Sequence, residues 1–171
     1  MQYVGQKDSK YADCLPRAMV NACRFYGIPC PDPASDEWED VVDFAGCRNG
    51  TSVVSEGDAA AYFGLRAVPI DPFEVSGQVP VLLTVYNPEV GHTLHAVLVV
   101  EWWGNLATVV NYRVEEGPLV ERVRLALGES PPERPFELEG ETAMVPNRNL
   151  RWDALYIPKP PNNRCFVLEP A

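Results

Sequence analysis

The strongest constraint on this chain is a change of hydrophobic period near residue 64. Before it, apolar residues recur at three- and four-residue spacing. After it, they come in short runs rich in β-branched and aromatic side chains. Helices first and strands second imply an α+β fold, in which helices pack on a largely antiparallel sheet, and not alternating βαβ units. Leu15, Ala18, Met19, Ala22, Phe25 and Tyr26 form the first stripe. Pro16 sits in its first turn, where a missing N–H costs nothing, and Gly27 ends it. A helix is therefore predicted from about Cys14 to Tyr26. A second is predicted from Ser35 or Asp36 to Ala45, and a third over residues 54–63, stopped by Gly46 and Gly64 respectively.

Strands are predicted over residues 65–70, 80–85, 93–103 and 106–113, with Gly104-Asn105 as a tight hairpin turn. Residues 118–127 and Ala154–Ile157 carry a weaker strand pattern. Residues 129–135 and 158–163 are loops by their proline content, the second leading into the tail. There is no internal repeat and no low-complexity tract. A length of 171 residues suits one domain spanning 1–171.

Charge narrows the partners. Lys and Arg number 14 against 24 Asp and Glu, a formal charge of −10. That is the wrong sign for tracking a phosphate backbone, so no nucleic acid is expected, and basic peptides or proteins are weakly favoured. The longest apolar stretches, 79–85 and 96–100, fall far short of the ~20 residues of a membrane helix, so no membrane span is expected. The first eight residues lack the charged-then-apolar pattern of a secretory signal. A cytoplasmic location is the expectation, with a secreted or delivered form left open.

The five cysteines are Cys14, Cys23, Cys30, Cys47 and Cys165, and none forms a Cys-x-x-Cys pair. Cys23, Cys30 and Cys47 fit buried structural thiols better than a zinc set, so no metal and no cofactor is expected. Cys14 stands apart, because it opens the first helix. Unpaired N–H groups and the helix dipole there favour a thiolate. The competing reading is one more small buried apolar side chain, and position alone leaves the two near even.

A nucleophilic thiol needs a base, and the chain has two histidines, His92 and His95. His92 follows Gly91 in a loop pattern, whereas His95 opens the alternating run Ala96-Val97-Leu98-Val99-Val100. Three residues along a strand change face, so only one of them can address Cys14, and His95 is the better placed. A histidine at a strand end is nonetheless more often structural than catalytic. Asn111 follows His95 by sixteen residues on the partner strand of the hairpin. There it could fix the imidazole tautomer, as the third member of a triad does, or simply bond a nearby turn. Trp38, Trp102, Trp103 and Trp152 fit core positions better than an interface.

Asp13-Cys14-Leu15-Pro16-Arg17-Ala18-Met19-Val20, ending in Phe25-Tyr26-Gly27-Ile28, resembles the nucleophile helix of papain-like cysteine peptidases. It is most similar to that of the peptidases that process bacteriocins with double-glycine leaders. Gly50-Thr51-Ser52, the Ala59-to-Leu65 helix end and Val79-Pro80-Val81 follow in the same order. Leu94-His95-Ala96-Val97-Leu98-Val99-Val100 resembles the papain-like histidine strand, and the interval from His95 to Asn111 suits the third triad member. The likeness covers about residues 6–113. It implies a papain-like fold and hydrolysis of a peptide or isopeptide bond without cofactor. Cys14 would be the nucleophile, His95 the base, Asn111 its orienting partner and Gln6 the oxyanion donor.

Two departures keep alternatives open. Leu15 stands where the family has glycine. Gln6 lies eight residues before Cys14, where the family's glutamine lies six before and this chain has Asp8. Without a side-chain donor, an oxyanion hole typically loses ~3–4 kcal/mol of barrier lowering. A catalytically inactive papain-like fold that binds protein is therefore the first alternative. Cys14-Leu15-Pro16-Arg17-Ala18 is also similar to the cysteine segment of ovarian-tumour-type deubiquitinases, though their preceding Asp-Gly is absent. Papain-like cell-wall endopeptidases share the Asp-Cys start but not the Leu15 that follows.

Overall fold

The computed structural model describes residues 3–5, 10–86, 94–110, 120–132, 136–137, 150–151 and 153–171. Helices α1 (Cys14–Tyr26), α2 (Trp38–Ala45) and α3 (Glu56–Tyr62) come first. They precede β1 (Leu65–Pro69), β2 (Val81–Tyr86), β3 (Leu94–Trp103), β4 (Leu106–Val110) and β5 (Val120–Leu127). After these come β6 (Phe136–Glu137), β7 (Leu150–Arg151), β8 (Ala154–Ile157) and β9 (Cys165–Pro170). The α+β order read from the sequence is the order found, with helices packed against a mostly antiparallel sheet.

Local chemistry explains the helix boundaries. Gly27 closes α1 at φ 71°, a conformation that glycine enters without a Cβ clash. Its N–H bonds the Arg24 carbonyl at 3.2 Å and that of Ile28 bonds Cys23 at 2.8 Å, which reverses the chain. Helix α2 starts at Trp38, later than predicted, because residues 35–37 enter it through tighter bonds spanning three residues. Trp38 N–H reaches Ser35 O at 3.1 Å and Glu39 N–H reaches Asp36 O at 3.2 Å. Ser55 caps α3 by accepting from the Asp58 N–H at 3.1 Å.

Seven strands form one sheet in the order β1-β9-β2-β3-β4-β5-β8, and only the β5–β8 pair is parallel. The short β6 and β7 pair with each other. The tail corrects the sequence reading, which assigned it no strand. Residues Cys165–Pro170 form β9, inserted between β1 and β2, with Val167 opposite both Val68 and Val81. A strand that pairs only with residues about eighty or more positions away leaves no local turn signal. The Tyr26 hydroxyl donates to the Leu168 carbonyl at 2.7 Å and ties α1 to this strand.

Strand alternation divides the core in two. Leu82, Leu98 and Leu168 face the helices and pack with Met19, Ala22, Val41 and Val42. Leu83, Val97, Val99, Val109 and Ile157 share the other face. There the sheet curls, so that β8 also packs against β2. Helix α1 lies on β3 and α3 lies on β1.

The β3–β4 hairpin turns where predicted, at Gly104-Asn105, with Gly104 at φ 61°. Its register then slips. Trp103 pairs with Leu106 and Glu101 with Thr108, but Val99 pairs with Val109, so a bulge absorbs one residue at Val100. Trp38 is a core residue and Trp102 is partly buried, donating from its indole to the Gln78 carbonyl at 2.9 Å. Trp103 departs from the core expectation. Beside the turn it is 57% exposed, under the Arg122 guanidinium at 4.1 Å. Trp152 lies outside the described residues. Among the described residues no helix is long and apolar enough to cross a membrane.

Two stability predictions follow from this packing. Leu168 is fully buried in the inserted strand, so Leu168→Ala should lower the unfolding free energy by about 2–5 kcal/mol in urea titration. A loss below about 1 kcal/mol would show that β9 does not hold the sheet together. Burial pushes the Cys23 and Cys165 thiols up to about 12, whereas unfolded thiols ionise near ~8.5. Between those values the native state holds more protons than the unfolded chain, so stability must fall as pH rises. The expected slope is about 1.4 kcal/mol per pH unit for each thiol. Cys165→Ala should flatten it, and an unfolding free energy level from pH 8 to 10 would contradict the assignment.

Candidate functional site

Asp13 ends the loop before α1 and is wholly buried. It does not cap the helix with its side chain. Its Oδ2 instead accepts from Arg17 Nε at 3.0 Å and from the Trp38 indole at 2.9 Å. Arg17 lies one turn along α1, the spacing at which helical side chains meet. Its guanidinium packs on the Trp38 ring at 5.8 Å and bonds the Gly5 carbonyl. A second clamp lies one turn further on. Asn21 accepts from the Val4 N–H at 2.7 Å and donates to the Val4 carbonyl at 2.9 Å. The start of α1, the start of α2 and residues 3–5 are thereby fixed to one another.

Cys14 is the first residue of α1 and is partly exposed. Burial pushes its thiol up, and the Asp13 charge adds to that. The backbone N–H groups of Ala96, Leu15 and Cys14 itself pull the other way. The net direction is upward, opposite to the stabilised thiolate expected from the helix terminus. The reason is that desolvation outweighs the dipole and the three donors.

The contact with Ala96 follows from the ladder. Thr84 turns its N–H toward the Arg164 carbonyl, at 3.3 Å. The Thr84–Ala96 pair therefore exchanges no ladder bonds, and Ala96 directs its N–H away from β2. It points to the β4 side, beyond Val110, the last described residue of that strand. That donor meets the Cys14 thiol.

His95 is the neighbour of Ala96 and is 4% exposed. It pairs with Val85, and alternation groups it with Val97 and Val99, whereas Ala96 packs with the helical core. Cys14 thus meets β3 one residue from His95, at the backbone. Gln6, His92 and Asn111 lie outside the described residues. Of the four residues singled out for catalysis, the described structure places Cys14 and His95.

Asp13, the Ala96 N–H and Cys47 lie near Cys14, Arg17 and Trp38 hold Asp13, and sequence reasoning assigned none of these roles. The Asp13-x-x-x-Arg17 spacing was a usable signal. Trp38 and Ala96 left none, since both arrive by tertiary packing. Among the described residues no three His, Cys, Asp or Glu side chains gather as a metal site. No model of a known protein family matches the chain, and no curated protein matches it.

The buried carboxylate generates a graded test. Arg17→Ala leaves the Asp13 charge without its cation and should cost about 3–5 kcal/mol of stability. Trp38→Phe removes one donor and keeps the ring, and should cost about 1–3 kcal/mol. Urea midpoints of both variants measure this, and equal, small losses would remove the carboxylate from the account.

Proposed function

We propose that the protein is a papain-like cysteine hydrolase of peptide or isopeptide bonds. The observation that carries this reading is the meeting of the partly exposed Cys14 thiol with the start of β3 beside His95. Cys14 Sγ attacks the carbonyl carbon, and the thiol proton passes through His95 to the leaving amine, a transfer that requires the imidazole to turn from the Val97 face of β3 to the Cys14 side. Water, activated by the same imidazole, then releases the acyl group from the sulfur. The Cys14 N–H and Gln6 hold the oxyanion, and Asn111 orients His95. The acidic balance of the chain favours a basic substrate.

A second reading has its own support. The net upward push on the Cys14 thiol, together with Leu15 after it, favours a papain-like fold that binds proteins without cutting them.

Iodoacetamide labelling of Cys14 across pH 5 to 9 separates the two readings. A hydrolase with a thiolate–imidazolium pair labels on a plateau at pH 6 to 7.5, and His95→Ala abolishes that plateau while His92→Ala keeps it. A raised, isolated thiol labels in proportion to its ionised fraction, still rising at pH 9 and indifferent to His95→Ala. That second outcome sinks the hydrolase. With a cleaved peptide in hand, Asn111→Ala should lower turnover by about 10²-fold in a folded protein. Full activity would remove Asn111 from the site.

A further inference from the structure

Cys23 and Cys30 are joined by the way α1 ends. Cys23 lies in the last turn, and the Gly27 reversal sends the chain back past it through Ile28, Pro29 and Cys30. The buried Cys23 thiol donates to the Phe63 carbonyl at 3.5 Å, and its sulfur lies within hydrogen-bond reach of Cys30. Cys30 is only partly buried, between two prolines that limit its backbone. Arg24 stands against it, donating to its sulfur and approaching Asp32 at 3.9 Å. Both thiols are free. The arrangement combines an accessible sulfur with a neighbouring cation and a second thiol already in contact with it. Cys14, Cys47 and Cys165 have no such thiol partner described at hydrogen-bond reach, and Cys165 sits in the other core.

We propose that Cys23 and Cys30 form a reversible redox pair, closed to a disulfide by low-molecular-weight disulfides such as oxidised glutathione. The Cys30 thiolate attacks one sulfur of glutathione disulfide, breaks its S–S bond and releases one glutathione thiolate, leaving a mixed disulfide on Cys30. Cys23, giving up its proton, attacks the Cys30 sulfur of that mixed disulfide and expels the second glutathione. In sum, two electrons and two protons pass from the cysteine pair to glutathione disulfide. Burial pushes the Cys30 thiol up, and the neighbouring Cys23 and Arg24 offset part of that push, which aids the first step. Contact between the two sulfurs favours the second, because little chain motion is needed to bring attacker and target together. Burial of Cys23 makes the order obligatory, since a reagent in solution reaches Cys30 first.

The pair lies at the opposite end of α1 from Cys14, so its chemistry stands apart from the proposed hydrolase. The bridge would fasten the helix end to the loop leading to α2.

The test uses the native full chain with excess oxidised glutathione at pH 8, followed by intact mass and peptide mapping. The expected result is loss of two hydrogens, a Cys23–Cys30 crosslinked peptide, and full return on treatment with dithiothreitol. Cys23→Ala should instead accumulate one glutathione adduct on Cys30. Cys30→Ser should leave Cys23 unmodified while the fold persists by circular dichroism. Crosslinks through other cysteines would overturn the proposal. So would a native protein that stays fully reduced while the urea-unfolded chain oxidises under the same conditions.

Discussion

The wholly buried Asp13 carboxylate, bonded by the Arg17 guanidinium and the Trp38 indole, organises the start of α1. A lone charge in that position would be strongly destabilising, and two charge-assisted bonds offset its desolvation. Each partner brings an element with it. Trp38 brings the start of α2, and Arg17, through the Gly5 carbonyl, brings the segment before the helix. Asn21 repeats the attachment at Val4 through a pair of bonds like those of a strand ladder. Cys14, next in the chain, has little freedom left. Its place against β3 is a consequence of that clamp and of the apolar stripe packing α1 on the sheet.

The sheet supplies the opposite wall by a different rule. Period-2 alternation sends Ala96 to the helices and Val97 to the curled interior. The backbone alternates too, in the plane of the sheet. Because Thr84 bonds to the β9 side, Ala96 turns its N–H outward from β2 and can serve the thiol. The β2–β3 register settles which residues of β3 keep their donors for something other than β2.

Local signals made much of this legible. The stripe from Leu15 to Tyr26, the Gly27 stop and the Gly104-Asn105 turn are read within a few residues, and the structure has them in place. A one-residue bulge at Val100 left no mark, since valine fits a regular strand equally well, yet it shifts the β3–β4 pairing from Val99 onward. β9 was missed for the converse reason: its run is strand-like, but its neighbours are β1 and β2, far back in the chain. At the site, the residue types at Cys14 and His95 pointed to β3. The sign of the thiol shift did not follow from them, because it depends on how much water packing removes, a property of the tertiary structure.

That sign defines the physical problem posed by Cys14. Three N–H groups pull the thiol toward ionisation, and burial with the Asp13 charge overcomes them. A single cation changes the balance. At about 4 Å and an effective dielectric of about 20, an opposite charge contributes about 4 kcal/mol. An imidazolium on β3 would therefore push the Cys14 thiol back down against burial, and a neutral imidazole would not. The same desolvation that holds the lone thiol inert would strengthen the ion pair once formed, because it also weakens screening. Inert binder and nucleophile can thus share one backbone, separated by the protonation and reach of His95.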